Sequence, residues 1–116
     1  MQVRSEMTNG IVIIAPDSAL EIDVGNSDAF KDQALQEIAG NPRVILDASP
    51  ISFFDSAGMG ILLSLKKKAR ENGGDLFLVG LRPAIHEIFQ MIGFDAVFKI
   101  FPDIPAAIQD FNEGQS

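Results

Sequence analysis

Residues 43–70 read RVILDASPISFFDSAGMGILLSLKKKAR, and the fold turns on how this stretch is parsed. Val44, Ile45 and Leu46 form a short unbroken apolar run, the pattern of a strand covered on both faces. Asp47 closes the run, and Pro50 opposes regular pairing just after it. From Ile61 the period changes: Ile61, Leu62, Leu65 and Ala69 recur at helical spacing. Lys66, Lys67, Lys68 and Arg70 fall in the last turns, where cations suit the negative end of the helix dipole, and they read as a solvated face. Asn72-Gly73-Gly74 is a stop signal. The stretch therefore predicts a buried strand, an approach loop carrying Phe53 and Phe54, and a helix over 57–71 capped by Asp55 or Ser56.

Gly58 and Gly60 stand in the first helical turn, where each costs up to about 1 kcal/mol relative to Ala. A helix selected for stability alone would carry neither. Glycine lets another backbone, or a bulky anion, come close. An Asp-Ser pair at such a place can be a cap and no more; the glycines argue for a further role.

Outward from this unit the chain alternates. Residues 2–7 and 11–15 are strand candidates around Thr8-Asn9-Gly10, and Asn-Gly between apolar runs signals a hairpin. Pro16 ends the second strand, and 16–27 reads as a loop bearing Asp17, Glu21 and Asp23. Asn26 or Ser27 opens a helix running to Ala39, with Phe30, Ala34 and Ile38 on one stripe. Leu76 to Val79 is a second buried strand. Pro83 suits the first turn of the next helix, which lines up Ile85, Ile88, Phe89 and Ile92 before Gly93. Residues 96–100 are a weaker, edge strand. A last helix follows Pro102 and Pro105 with Ile104, Ile108 and Phe111 inward, and 113–116 is a frayed end. The order is ββαβαβαβα: an α/β fold with an N-terminal hairpin, later strands in parallel, and about four helices.

Composition sets bounds. A chain of 116 residues fits one domain. There is no cysteine, hence no disulfide or thiolate metal site. No apolar run approaches the roughly 20 residues of a membrane span, and the opening MQVRSEMTNG lacks the apolar core of a signal peptide, so a cytoplasmic protein without membrane insertion is expected. The formal net charge of −7 opposes nucleic-acid binding. Residues 1–65 hold 9 acidic and 3 basic side chains against 7 and 6 in 66–116, which would steer a basic partner toward the N-terminal half.

Several enzyme chemistries fail on inspection. Gly58-Met59-Gly60 would need a third glycine where Leu63 stands. No Gly-Lys-Ser/Thr occurs, and Phe54 occupies the place of the glycine in a nucleophile elbow around Ser56. His86 is the single histidine and falls on a helix flank. Asp47 ends a strand as a receiver-domain aspartate does, yet only one helix precedes it and no acidic pair follows the first strand. No catalytic residue, cofactor site or metal site is expected.

The run Phe53-Phe54-Asp55-Ser56-Ala57-Gly58-Met59-Gly60, placed between a buried strand and an amphipathic helix, resembles the STAS domain, and more narrowly the bacterial anti-sigma factor antagonists. Their signature is a hydrophobic pair, Asp-Ser, a small residue, Gly, an aliphatic residue and Gly. Glu21-Ile22-Asp23 is similar to the family's Glu-Leu-Asp loop, with Leu20 where a Gly is usual. The resemblance implies one STAS domain over 1–116, a mixed sheet with helices packed on it, and a phosphorylatable Ser56. Ala57 stands where the family often has a second Ser or Thr. It further implies a binding module, not an enzyme. Unphosphorylated, it would hold an anti-sigma factor serine kinase and free the sigma factor for transcription; a serine phosphatase would reset it. Asp23, Asp55, Ser56, Ala57, Gly58, Met59, Gly60 and Leu63 are the expected partner-binding residues. The same fold also serves as a subunit of sensory scaffolds or lipid-transport complexes, and a nucleotide-binding STAS module is a third option.

Overall fold

The computed structural model describes residues 1–114. The hairpin is β1 (Val3–Thr8) and β2 (Ile11–Pro16), antiparallel with Thr8 opposite Ile11. Asn9 and Gly10 between them both have positive φ, 52° and 76°, the backbone a two-residue primed turn demands. β4 (Arg43–Asp47) runs parallel to β2, β6 (Asp75–Val79) parallel to β4, and the two-residue β7 (Ile100–Phe101) parallel to β6. The sheet order is β1-β2-β4-β6-β7. The helices are α1 (Ser27–Ile38), α2 (Ser56–Glu71), α3 (Pro83–Met91) and α4 (Ile104–Glu113). The mixed sheet and its four helices follow the order expected from the sequence.

Strand alternation divides the core. Val12, Ile14, Val44, Leu46, Leu76 and Leu78 point to the face covered by α1, α2 and α3, where they meet Phe30, Leu62, Leu65 and Phe89. Ile11, Ile13, Ile45, Phe77 and Val79 point to the other face, where α4 places Ala107 and Phe111. Phe77 and Phe111 stack with centroids 3.8 Å apart. Val44, Ile45 and Leu46 are fully buried, as a strand covered on both faces must be.

Two short strands lie outside that order. β3 (Leu20–Ile22) and β5 (Ile51–Phe54) pair in parallel as a separate two-stranded sheet. They occupy stretches that read as loops. Pro50 does not break the pairing: it stands just before β5, its missing N–H is not needed, and its carbonyl accepts from the Leu20 amide at 3.0 Å. Ile51 and Phe54 are buried while Ser52 and Phe53 are exposed. Each strand is too short to show a period before its partner is known. Near the C-terminus, residues 94–96 form a 3-10 turn after Gly93, and the edge strand falls at 100–101 rather than over 96–100, because Phe98 turns into the core. Of the expected frayed end, Glu113 still belongs to α4 and Gly114 is its C-cap, while 115–116 lie outside the described residues.

Candidate functional site at the mouth of α2

α2 follows directly on β5, so its N-terminus opens at the carboxyl end of the small parallel sheet, not of β4. Asp55 is the cap. Its Oδ1 accepts from the Gly58 amide at 2.9 Å, filling one of the donors a helix start leaves open. Its Oδ2 accepts from the Val24 amide at 3.0 Å. Its own N–H donates to the Ile22 carbonyl at 3.0 Å, extending the β3–β5 pairing by one bond. One residue thus ties the helix mouth to the 20–27 segment.

That segment is organised by its own side chains. Asp23 Oδ1 accepts from the Gly25 amide at 2.8 Å. Asn26 Oδ1 accepts from the Asp23 amide at 2.9 Å, and Asn26 Nδ2 donates to the Glu21 carbonyl at 2.8 Å. Asn26 is the N-cap of α1 by position, but its side chain is spent on this turn and makes no cap bond. Asp23 is exposed, and Val24 beside it is 81% exposed.

Ser56 is the first residue of α2 and is exposed. Its hydroxyl bonds to none of the described residues. Of the two capping candidates, Asp55 alone holds the cap, because its carboxylate at the extended position reaches the third helical amide. The amides of Ser56 and Ala57 open the helix without helical acceptors. Gly58 is buried, and a Cβ there would stand 2.9 Å from Ile22 Cγ2 and 3.0 Å from the Ile22 carbonyl oxygen. The backbone that comes close at Gly58 is therefore the chain's own β3. A Cβ at Gly60 would meet nothing within 4 Å, so the second glycine faces open space.

The expected partner-binding residues separate in the same way. Asp23, Asp55, Ser56, Ala57 and Gly60 reach the surface around the helix mouth. Leu63, 41% exposed, lies two turns along the outer side of α2. Met59 is half-buried and packs on the main core, and Gly58 is internal. The sequence placed Phe53 beside Phe54 in the approach loop without showing which of the two faces outward; Phe53 is 46% exposed on β5, close to Ser56 in the chain, and its pairing in the small sheet turns it outward. Lys66 departs from a solvated face. It pairs with Asp75, its side chain is 13% exposed, and its ammonium lies 5.5 Å from the Phe98 ring centre. Lys67 and Lys68 are solvated as expected. Among the described residues, no group of three His, Asp or Glu side chains is placed to hold a metal ion, and no helix is long and apolar enough to cross a membrane.

The family model of the STAS domain matches residues 2–107. The chain belongs to the STAS domain family. BtrV of Bordetella bronchiseptica, provisionally named an anti-sigma factor antagonist, is 33% identical over 112 residues, covering 96% of this chain and 95% of BtrV. The fold matches the crystal structure of a Thermotoga maritima protein of the same provisional name, with a TM-score of 0.83 at 22% identity over 93% of this chain and 92% of that one. It also matches the phosphorylated form of the Bacillus cell-fate determinant SpoIIAA, with a TM-score of 0.65 at 22% identity over 94% and 98% of the two chains. The STAS fold of this chain thus carries its Asp55-Ser56 turn on the small β3–β5 sheet.

Proposed function

We propose that this STAS protein is an anti-sigma factor antagonist whose binding is switched by phosphorylation of Ser56. With Ser56 free, it holds an anti-sigma factor that is also a serine kinase, and the sigma factor is released. With Ser56 phosphorylated, the complex separates until a phosphatase removes the group. The chain performs no catalysis itself; the kinase and phosphatase supply it. One observation carries the reading: capping and docking at the helix mouth fall to Asp55, so the exposed Ser56 hydroxyl is left without a structural duty. The names of the relatives and the existence of a phosphorylated SpoIIAA point the same way.

The physical case has two sides. A phosphate adds roughly −1.5 to −2 charges. At the start of α2 it meets open amides and the positive end of the dipole, so the free protein tolerates it. Under a partner, the same group must be desolvated beside the Asp55 carboxylate, in a half of the chain where acids outnumber bases. The hydroxyl imposes neither cost. The partner surface comprises the 20–27 turn, Ser56, Ala57, Gly60 and Leu63.

The test incubates the protein with its cognate anti-sigma kinase and ATP, maps the modified residue by mass spectrometry, and measures affinity for the native, phosphorylated and Ser56→Ala forms. Modification at Ser56, tight binding of native and Ser56→Ala protein, and weak binding of the phosphorylated form are expected. Phosphate on Ser52 or Ser64 instead, or equal affinity across the three forms, overturns the reading.

A further inference from the structure

The outer side of α2 changes sign along its length. Ser56, Gly60, Leu63 and Lys67 are exposed and stand at the i, i+4, i+7 and i+11 spacing of one helical stripe. The helix mouth at the Ser56 end carries Asp23 and Asp55, and neither is in an ion pair among the described residues. The other end is basic: residues 66–75 hold four cations and two acids, in a chain of net charge −7. Lys66 takes Asp75, while Arg70 stands 3.7 Å from that carboxylate with its side chain 64% exposed. Lys67 has no partner among the described residues. Arg70 flanks the stripe on one side, Glu71 on the other, and Lys68 turns off it. Between the two ends, Leu63 is the exposed apolar side chain of the stripe. An open groove of about 440 Å³ lies beside it, bounded by Lys66, Lys67, Arg70 and Glu71.

We infer that the partner covering Ser56 also reaches Lys67 and Arg70, and presents an acidic segment to them. The inference rests on the partner-binding reading of Ser56 and adds the chemistry of the far end. Span favours it. Ser56 and Lys67 are separated by about 16 Å along the helix axis. A standard interface takes roughly 800 Å² per partner, a patch roughly 30 Å across. A partner of that footprint seated over Gly60 and Leu63 covers both ends of the stripe. An apolar or basic surface over Lys67 and Arg70 would bury their charge unpaired, whereas carboxylates would pair with it.

The stripe then has the anatomy of an interface: an apolar centre at Leu63 between charged rims. Because the rims have opposite sign, a partner turned end for end would set like charges together at both. The sign change therefore fixes the orientation in which the anti-sigma factor lies on α2. A phosphate on Ser56 alters one end only, so Lys67 and Arg70 contribute to binding in both states of the switch.

The test uses the full chain and the anti-sigma kinase that modifies Ser56. Calorimetry compares native protein with Lys67→Glu, Lys67→Glu combined with Arg70→Glu, and Arg4→Glu, an equal change of charge at an exposed position on β1. The single α2 variant should bind about ten-fold more weakly and the double variant weaker still, with native far-UV spectra. Arg4→Glu should stay within two-fold of native. The kinase should show a raised KM and an unchanged kcat toward Lys67→Glu, since Lys67 stands well away from the Ser56 hydroxyl. Carbodiimide treatment of the native complex should join Lys67 to an Asp or Glu of the partner. Affinity of the double variant within two-fold of native, or an equal loss in Arg4→Glu, overturns the inference, as does a complex without a Lys67 cross-link. If phosphate on Ser56 still weakens binding in that case, the basic end alone is removed from the interface. If phosphate has no effect either, the reading of Ser56 falls with it.

Discussion

The Asp55 carboxylate and the Val24 amide meet at 3.0 Å, across 31 residues of chain. With the bond from Gly58 to the other carboxylate oxygen, this contact makes one side chain both the cap of α2 and the latch of the turn before α1. Asp55→Ala should lose both. The cap alone is worth about 1 kcal/mol, so a loss of about 1–2 kcal/mol in urea unfolding is expected. Hydrogen exchange should quicken at Val24 and Gly58 more than at Leu46. Asp55→Asn, which can still accept at a cap, should lose less. Equal losses for Ala and Asn would show that the bonds are not what Asp55 contributes.

Ser56→Ala should change unfolding stability by no more than about 0.5 kcal/mol, the usual range for an exposed side chain without partners. Ser56→Asp should fold equally well and gain slightly from an acid in the first turn, by about 0.3–1 kcal/mol at low salt. A drop of more than about 1 kcal/mol on Ser56→Ala would mean that the hydroxyl carries part of the cap.

Much of this was legible in the residues. The Asn9-Gly10 turn, the continuous Val44–Leu46 run and the change of period at Ile61 each report a local constraint that the whole fold repeats. The Asp55-Ser56 turn was legible as a helix mouth for the same reason. What stayed hidden depends on contacts distant in sequence. β3 is three residues long and β5 four, and each is a strand only because the other lies beside it. With β5 unseen, the exposed Phe53 could not be separated from the buried Phe54, nor could Asp55 be chosen over Ser56 as the cap. Gly58 likewise hints at a close approach, but only the fold shows that Ile22 is what approaches.

Among the glycines of the described residues, Gly74 leaves the least room for a side chain. A Cβ there would fall 1.8 Å from the Pro42 carbonyl oxygen, which accepts the Asp75 amide at 2.9 Å where β4 and β6 begin to pair. Two backbones would have to part to admit a methyl group. Gly74→Ala should cost at least about 3 kcal/mol, the upper end of ordinary overpacking, in denaturant unfolding of whatever soluble protein is obtained. A loss under about 1 kcal/mol would mean that these segments are not held together as described.

Gly58 and Gly60 should respond in opposite directions to the same change. Alanine is better than glycine inside a helix by up to about 1 kcal/mol, which favours both substitutions equally. At Gly58 the new methyl group meets Ile22 at 2.9 Å and Phe54 Cδ1 at 3.2 Å, and the Ile22 carbonyl cannot turn away while it accepts from Asp55. Overpacking of about 1–3 kcal/mol outweighs the helical gain, so Gly58→Ala should be net destabilised. At Gly60 nothing lies in the way, and Gly60→Ala should be stabilised by about 0.5–1 kcal/mol. A residue kept as glycine against that gain is explained if a partner's backbone occupies the space. Gly60→Ala should therefore be the more stable protein and the weaker binder of the anti-sigma factor. Urea unfolding and titration calorimetry on the same preparation read both quantities. Unchanged affinity in a stabilised Gly60→Ala would remove Gly60 from the partner surface and leave the first-turn glycine without a role.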